Sequence, residues 1–86
     1  MDKQDIRNEL RTILGVVDAE LLERIEVTDS TSIREGLGLD SLQLTEVLFE
    51  IEERLGAKIE DEEARNLRTV GDLVNLVDAK IGGNKA

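Results

Sequence analysis

The sequence contains no cysteine and no histidine, and Phe49 is its one aromatic residue. Without cysteine there are no disulfides, no thiolate metal sites and no thiol nucleophile. Without histidine the commonest general base and metal ligand is missing as well. A core with a single aromatic ring has to be built from Leu, Ile, Val and Ala, which suits packed helices. Long apolar runs are also absent, since nothing approaches the ~20 residues that span a bilayer. The charged opening Met1-Asp2-Lys3-Gln4-Asp5 lacks the apolar centre of a signal peptide, so the expected location is cytoplasmic. Positive charge is scarce, with 11 basic against 20 acidic residues and a net charge of −9. Such a surface repels nucleic acid and anionic membranes and favours basic protein partners.

What is present fits one domain, residues 1–86, with a core of modest size and no internal repeat. Ile6, Leu10, Ile13, Leu14 and Val17 fall on one helical stripe, predicting a first helix from Lys3 to Gly15 with the glycine as its stop. Residues 16–40 form a long connection whose Leu21, Leu22, Ile25, Val27, Ile33 and Leu37 should tuck against the helices. A structureless connection of this length is unusual, so Ala19–Ile25 is expected to make a helical turn, while Thr28-Asp29-Ser30-Thr31-Ser32 is a loop by composition. A second helix should run from Ser41 to Leu55 and end at Gly56. Asp61 to Leu67 is expected to be a short helix capped by Asp61, with Ala64 and Leu67 facing inward. Thr69 with Asp72 resembles a capping box for a last helix along Val70, Leu73, Val74, Val77 and Ile81, closed by Gly82-Gly83, leaving 83–86 a flexible tail. The predicted fold class is all-α, a small four-helix bundle of three main helices and one short one with a long loop between the first two.

The chain is organised around Gly36-Leu37-Gly38-Leu39-Asp40-Ser41-Leu42, where a glycine-punctuated loop delivers a serine to an acidic helix. Asp40 is a good N-cap, Gln43 can complete a capping box, and Leu39 with Leu44 can form a hydrophobic staple. Ser41 is thereby placed at the first helical position, where free N–H groups and the helix dipole favour an attached phosphate. At about 100° per residue, Leu44, Val47, Leu48, Ile51 and Leu55 share the inward face. Leu42 and Phe49 fall almost opposite, beside Glu46, Glu50 and Glu53, and make a candidate docking surface. Residues 40–63 hold 9 acids and 2 bases, so most of the negative charge begins at Asp40.

By themselves these local signals are compatible with an ordinary helix start. Catalysis is the poorest reading, because Ser41 has no histidine to activate it and Lys3, Lys58, Lys80 and Lys85 form no serine–lysine motif. The consecutive acids at 60–63 lack the spacing and central glycine of a calcium-binding loop, so no specific metal site is predicted.

Gly38-Leu39-Asp40-Ser41-Leu42 followed by an acidic helix, then Ile59-Glu60-Asp61-Glu62-Glu63-Ala64 and Thr69-Val70-Gly71-Asp72-Leu73, resembles an acyl carrier protein from the first helix to Ile81. The resemblance implies that Ser41 is an attachment point, esterified with 4′-phosphopantetheine by a phosphopantetheinyl transferase that uses coenzyme A. The arm's thiol, which the polypeptide lacks, would then carry an acyl group. The resemblance also makes the second helix the recognition helix, with Asp40, Leu42, Glu46, Phe49 and Glu53 meeting basic patches on acyl-transfer and fatty acid or polyketide synthesis enzymes, and it implies sequestration of acyl chains among the helices. The chain is expected to work as a monomer and not as an enzyme.

Three departures stand out. Ile59-Glu60 replaces the usual Ile-Pro and is expected to loosen the segment before the short helix. Phe49 stands where an aliphatic residue is usual, and Glu50 where a small neutral one is. Both alter the docking face and make a carrier dedicated to a polyketide, aminoacyl or other specialised pathway the alternative to fatty acid synthesis. An unmodified acidic interaction module, binding divalent cations only diffusely, is the alternative of another class.

Overall fold

The computed structural model describes residues 2–82. Five helices follow in order: α1 (Lys3–Val17), α2 (Leu21–Arg24), α3 (Ser41–Leu55), α4 (Asp61–Arg65) and α5 (Val70–Gly82). No strand occurs among the described residues, whose only extended pairing is an isolated bridge between Ser32 and Thr69. The all-α bundle is as predicted, with the helical turn in the long connection present as α2.

Reciprocal caps start α1, α3 and α5. In α1 the Asp2 carboxylate accepts from the Asp5 N–H at 2.9 Å, and Asp5 accepts from the Asp2 N–H at 3.1 Å. Gly15 does not stop this helix, which runs on to Val17. A glycine ends a helix by turning left-handed, but the turn away comes at Asp18, which is extended at φ −143°. Leu21 is fully buried and anchors α2, whereas Leu22 stays exposed, against expectation, because a single turn buries only one side.

The short helix is also corrected. Its cap is Glu60, not Asp61, and it ends at Arg65, leaving Leu67 half-buried just beyond it. The Glu60 N–H donates to Glu63 Oε1 at 3.0 Å. Proline has no N–H to make that bond, so the departure at Glu60 adds a tie where loosening was expected. Lys80 reaches Glu63 at 2.9 Å and joins α4 to α5. At the start of α5, Thr69 and Asp72 form the anticipated box, the Asp72 N–H donating to Thr69 Oγ1 and the Thr69 N–H to Asp72 Oδ2, each at 3.2 Å. The helix end at Gly83 and the tail at 83–86 lie outside the described residues.

α1 is the hub, packing against α2, α3 and α5. Its Ile6, Leu10, Ile13 and Leu14 join Val47 and Ile51 of α3 and Val70, Leu73, Val74 and Val77 of α5 in one apolar cluster. Val27, Ile33 and Leu37 of the long connection are buried in the same cluster. Polar stitches hold that connection from both sides. Arg7 grips Asp29 through two 2.9 Å bonds, Arg11 donates to the Val27 carbonyl at 3.1 Å, and the N–H groups of Val70 and Gly71 donate to Thr31 and Asp29 carbonyls. The Cα radius of gyration, 11.9 Å, is that of a close-packed chain of this length.

Candidate functional site

The approach to Ser41 is a tight turn that only glycine fits. A Cβ on Gly36 would lie 2.6 Å from the Ser32 carbonyl oxygen, and Gly38 has φ +68°, a left-handed backbone. Between them Leu37 is buried, and its N–H donates to Ser32 O at 2.9 Å. The chain leaves this anchor through Leu39 and enters α3 at Asp40, which is extended and caps the helix. Asp40 Oδ1 accepts from the Gln43 N–H at 2.7 Å, and Gln43 Oε1 accepts from the Asp40 N–H at 3.2 Å.

Ser41 is therefore the first residue of α3 and is exposed. Its carbonyl accepts from the Thr45 hydroxyl at 2.9 Å. Its own hydroxyl makes no hydrogen bond among the described residues. Ser41 lines a recess together with Arg34, Leu39, Asp40 and Leu44. Behind the recess lies an apolar void of about 10 Å³ among Leu10, Ile33, Leu37, Val47 and Leu73, with no polar lining. That is about the space a single water molecule needs. Leu39 and Leu44, both half-buried, line the recess and the void alike, so they separate the serine from the core.

The two faces of α3 follow the periodicity. Val47 and Ile51 are buried, while Leu44, Leu48 and Leu55 are half-buried against the core. Leu42 is 70% and Phe49 57% exposed, and Asp40, Glu46 and Glu53 are exposed around them. Glu50 differs from these acids: it is half-buried, and Arg54 donates to its carboxylate at 2.9 Å. Phe49 also shares a groove with Val16 and Val17 of α1, flanked by Glu46 and Glu50. Val16 was missed in the sequence because the helix was ended at Gly15, one residue before it. Arg34 was missed because it stands in an irregular connection where no periodicity marks a side. Among the described residues no group of three or more acids converges to hold a metal ion.

The helical bundle thus presents an accessible, unbonded serine hydroxyl at a helix start, in a sequence without cysteine or histidine. Residues 4–77 match the family model described as the phosphopantetheine attachment site, and the chain belongs to that family. Domains of this family bear a covalent 4′-phosphopantetheine and are non-catalytic, so the chain is a phosphopantetheine-bearing carrier and not an enzyme. A carrier of this kind is served by transferases and synthase enzymes. The site fits the group: the Ser41 hydroxyl is accessible and unbonded, and the recess beside it is open. No helix of the described residues is long and apolar enough to cross a membrane.

Proposed function

We propose that Ser41 bears the phosphopantetheine arm and that the chain carries acyl groups as thioesters on it, delivering them to enzymes of fatty acid synthesis or a related pathway. When bound, the arm supplies the thiol that the polypeptide lacks. The observation that carries this reading is the position of Ser41, free at the first turn of α3 and separated from an apolar void only by Leu39 and Leu44. Asp40 and its capping partner Gln43 hold the serine outward, and the leucine pair offers a route by which an apolar cargo enters the core. Partners with basic patches are drawn by Asp40, Glu46 and Glu53 and then meet Leu42 and Phe49. Glu50 contributes less to that field, since Arg54 offsets its charge. On this reading the protein works as a cytoplasmic monomer.

Incubation with coenzyme A, Mg²⁺ and a broad-specificity phosphopantetheinyl transferase should add one phosphopantetheine to the intact mass, and Ser41→Ala should abolish the gain. Wild-type protein left unmodified by several transferases would instead leave an unmodified acidic interaction module.

A second reading, a carrier for a polyketide, aminoacyl or other specialised pathway, is favoured by the Phe49 groove. Its aromatic wall continues onto Val16 of α1, which widens the docking surface beyond α3. Loading assays with fatty-acyl, malonyl and aminoacyl ligases distinguish the two, because each ligase must dock before it transfers.

A further inference from the structure

The acidic surface is interrupted at one place by three arginines. Arg34 before α3, Arg65 at the end of α4 and Arg68 before α5 line one open groove with Ser32, Glu35 and Leu67. All three are exposed. The other arginines are occupied: Arg7 by Asp29, Arg24 by Asp18, Arg54 by Glu50 and Arg11 by the Val27 carbonyl. No carboxylate or carbonyl among the described residues bonds the guanidinium of Arg34, Arg65 or Arg68.

Arg34 lines a second space as well, the recess that Ser41 lines. Groove and recess therefore meet at this side chain. A phosphodiester formed on Ser41 Oγ has its phosphorus one bond from that oxygen, and so stands beside the recess that Ser41 and Arg34 line together. The acids nearest in these linings are Asp40 and Glu35, and neither forms an ion pair with Arg34. Asp40 already accepts the Gln43 N–H at 2.7 Å. A guanidinium matches two phosphate oxygens with parallel N–H groups, which a carboxylate-rich surface elsewhere on this chain cannot do. Covalent tethering keeps the phosphate at high local concentration, so even an exposed arginine is occupied.

We propose that Arg34 holds the phosphodiester of the arm on Ser41, with Arg65 and Arg68 supplying a positive field behind it. This rests on the reading of Ser41 as the attachment residue. Held there, the root of the arm lies over Leu39 and Leu44, the leucines that border the apolar void, and not on the ridge of Leu42 and Phe49. Arg34 is thus a positioning residue for the arm: it leaves the partner-docking face clear and points the arm's origin toward the entrance of the core.

The test is the ³¹P resonance of the phosphopantetheinylated protein, compared among wild type, Arg34→Ala, Arg34→Lys and the double variant Arg65→Ala/Arg68→Ala. Intact mass first establishes one phosphopantetheine per chain. In Arg34→Ala the resonance should shift toward that of an isolated phosphopantetheinyl-serine peptide and its line should narrow. Arg34→Lys should restore part of the shift, since it keeps the charge but not the fork, and the double variant should move it less than Arg34→Ala does. Salt at about 1 M, where screening acts within ~3 Å, should carry the wild-type resonance toward the Arg34→Ala position. Identical shift and line width in wild type and Arg34→Ala would overturn the proposal while leaving the attachment at Ser41 standing. Wild-type protein that gains no mass would overturn the attachment reading, and this proposal with it. Far-UV circular dichroism checks the fold of each variant.

Discussion

Asp40 and Asp29 are both exposed carboxylates, yet each does something that a generic surface acid does not. Asp40 holds the turn that presents Ser41, accepting the Gln43 N–H at 2.7 Å. Asp40→Ala should cost about 1 kcal/mol, seen as a lower urea midpoint with an unchanged m-value, while Asp40→Ser should keep most of the stability. Asp29 is gripped by Arg7 through two bonds and takes the Gly71 N–H on its carbonyl, so it clasps the long connection between α1 and α5. The Arg7 hydrogen bonds hold the Asp29 carboxyl below its ordinary pKa. A carboxylate with a depressed folded pKa stabilises the fold fully above its unfolded value, and that contribution is lost as pH falls through the folded one. The destabilisation by Asp29→Asn should therefore be full at neutral pH and persist down to about pH 4. It should vanish at lower pH, where wild type is itself protonated; urea melts of both proteins across that range check this. Both capping at Asp40 and Thr69–Asp72 was legible in the sequence, because a cap reaches only three residues along the chain. The Arg7–Asp29 clasp was not, since its partners are 22 residues apart.

At the scale of the element, α3 sets Val47 and Ile51 in the core and Leu42 and Phe49 in solvent, and the proposed docking role belongs to the exposed face. Ile51 is fully buried, so Ile51→Ala should cost about 2–5 kcal/mol. Leu42→Ala and Phe49→Ala remove exposed side chains and should change stability by no more than ~0.5 kcal/mol. Each should nevertheless lower the kcat/KM of a phosphopantetheinyl transferase for this protein by roughly tenfold, equivalent to ~1.4 kcal/mol of docking. Equal losses of stability and turnover in the Phe49 variant would point to misfolding and not to a docking role. The bounds of α3 agree with the periodicity because both ends carry local signals, Asp40 at the start and left-handed Gly56, φ +73°, at the finish. Gly15 misled for the same physical reason in reverse. A glycine allows a left-handed stop without requiring one, and α1 continues through it until Asp18 turns away.

In the whole molecule, what positions the serine is the packing of an irregular connection against distant segments. Gly36 shows this best. An added Cβ would meet the Ser32 carbonyl oxygen at 2.6 Å and the Thr31 side chain at 2.7 Å. Backbone cannot step aside as a flexible side chain does, so Gly36→Ala should destabilise by about 1–3 kcal/mol, measured as a fall in the urea midpoint. Because the turn leads into Asp40, modification of Ser41 by the transferase should slow in the same variant, although Gly36 touches neither the serine nor its recess.

The sequence by itself determined the three long helices, the caps at Asp40 and Thr69, the position of Ser41 at a helix start and the outward set of Leu42 and Phe49. All depend on hydrogen bonds and periodicities that span one or two turns. Only the tertiary structure decided the rest: the groove that Val16 adds to Phe49, the void behind Leu39 and Leu44, and the arrival of Arg34 between Ser41 and two other arginines. These depend on where segments far apart in the chain come to lie when a common apolar core is filled. Local patterns carry no information about that meeting, because the residues that meet share no spacing along the sequence.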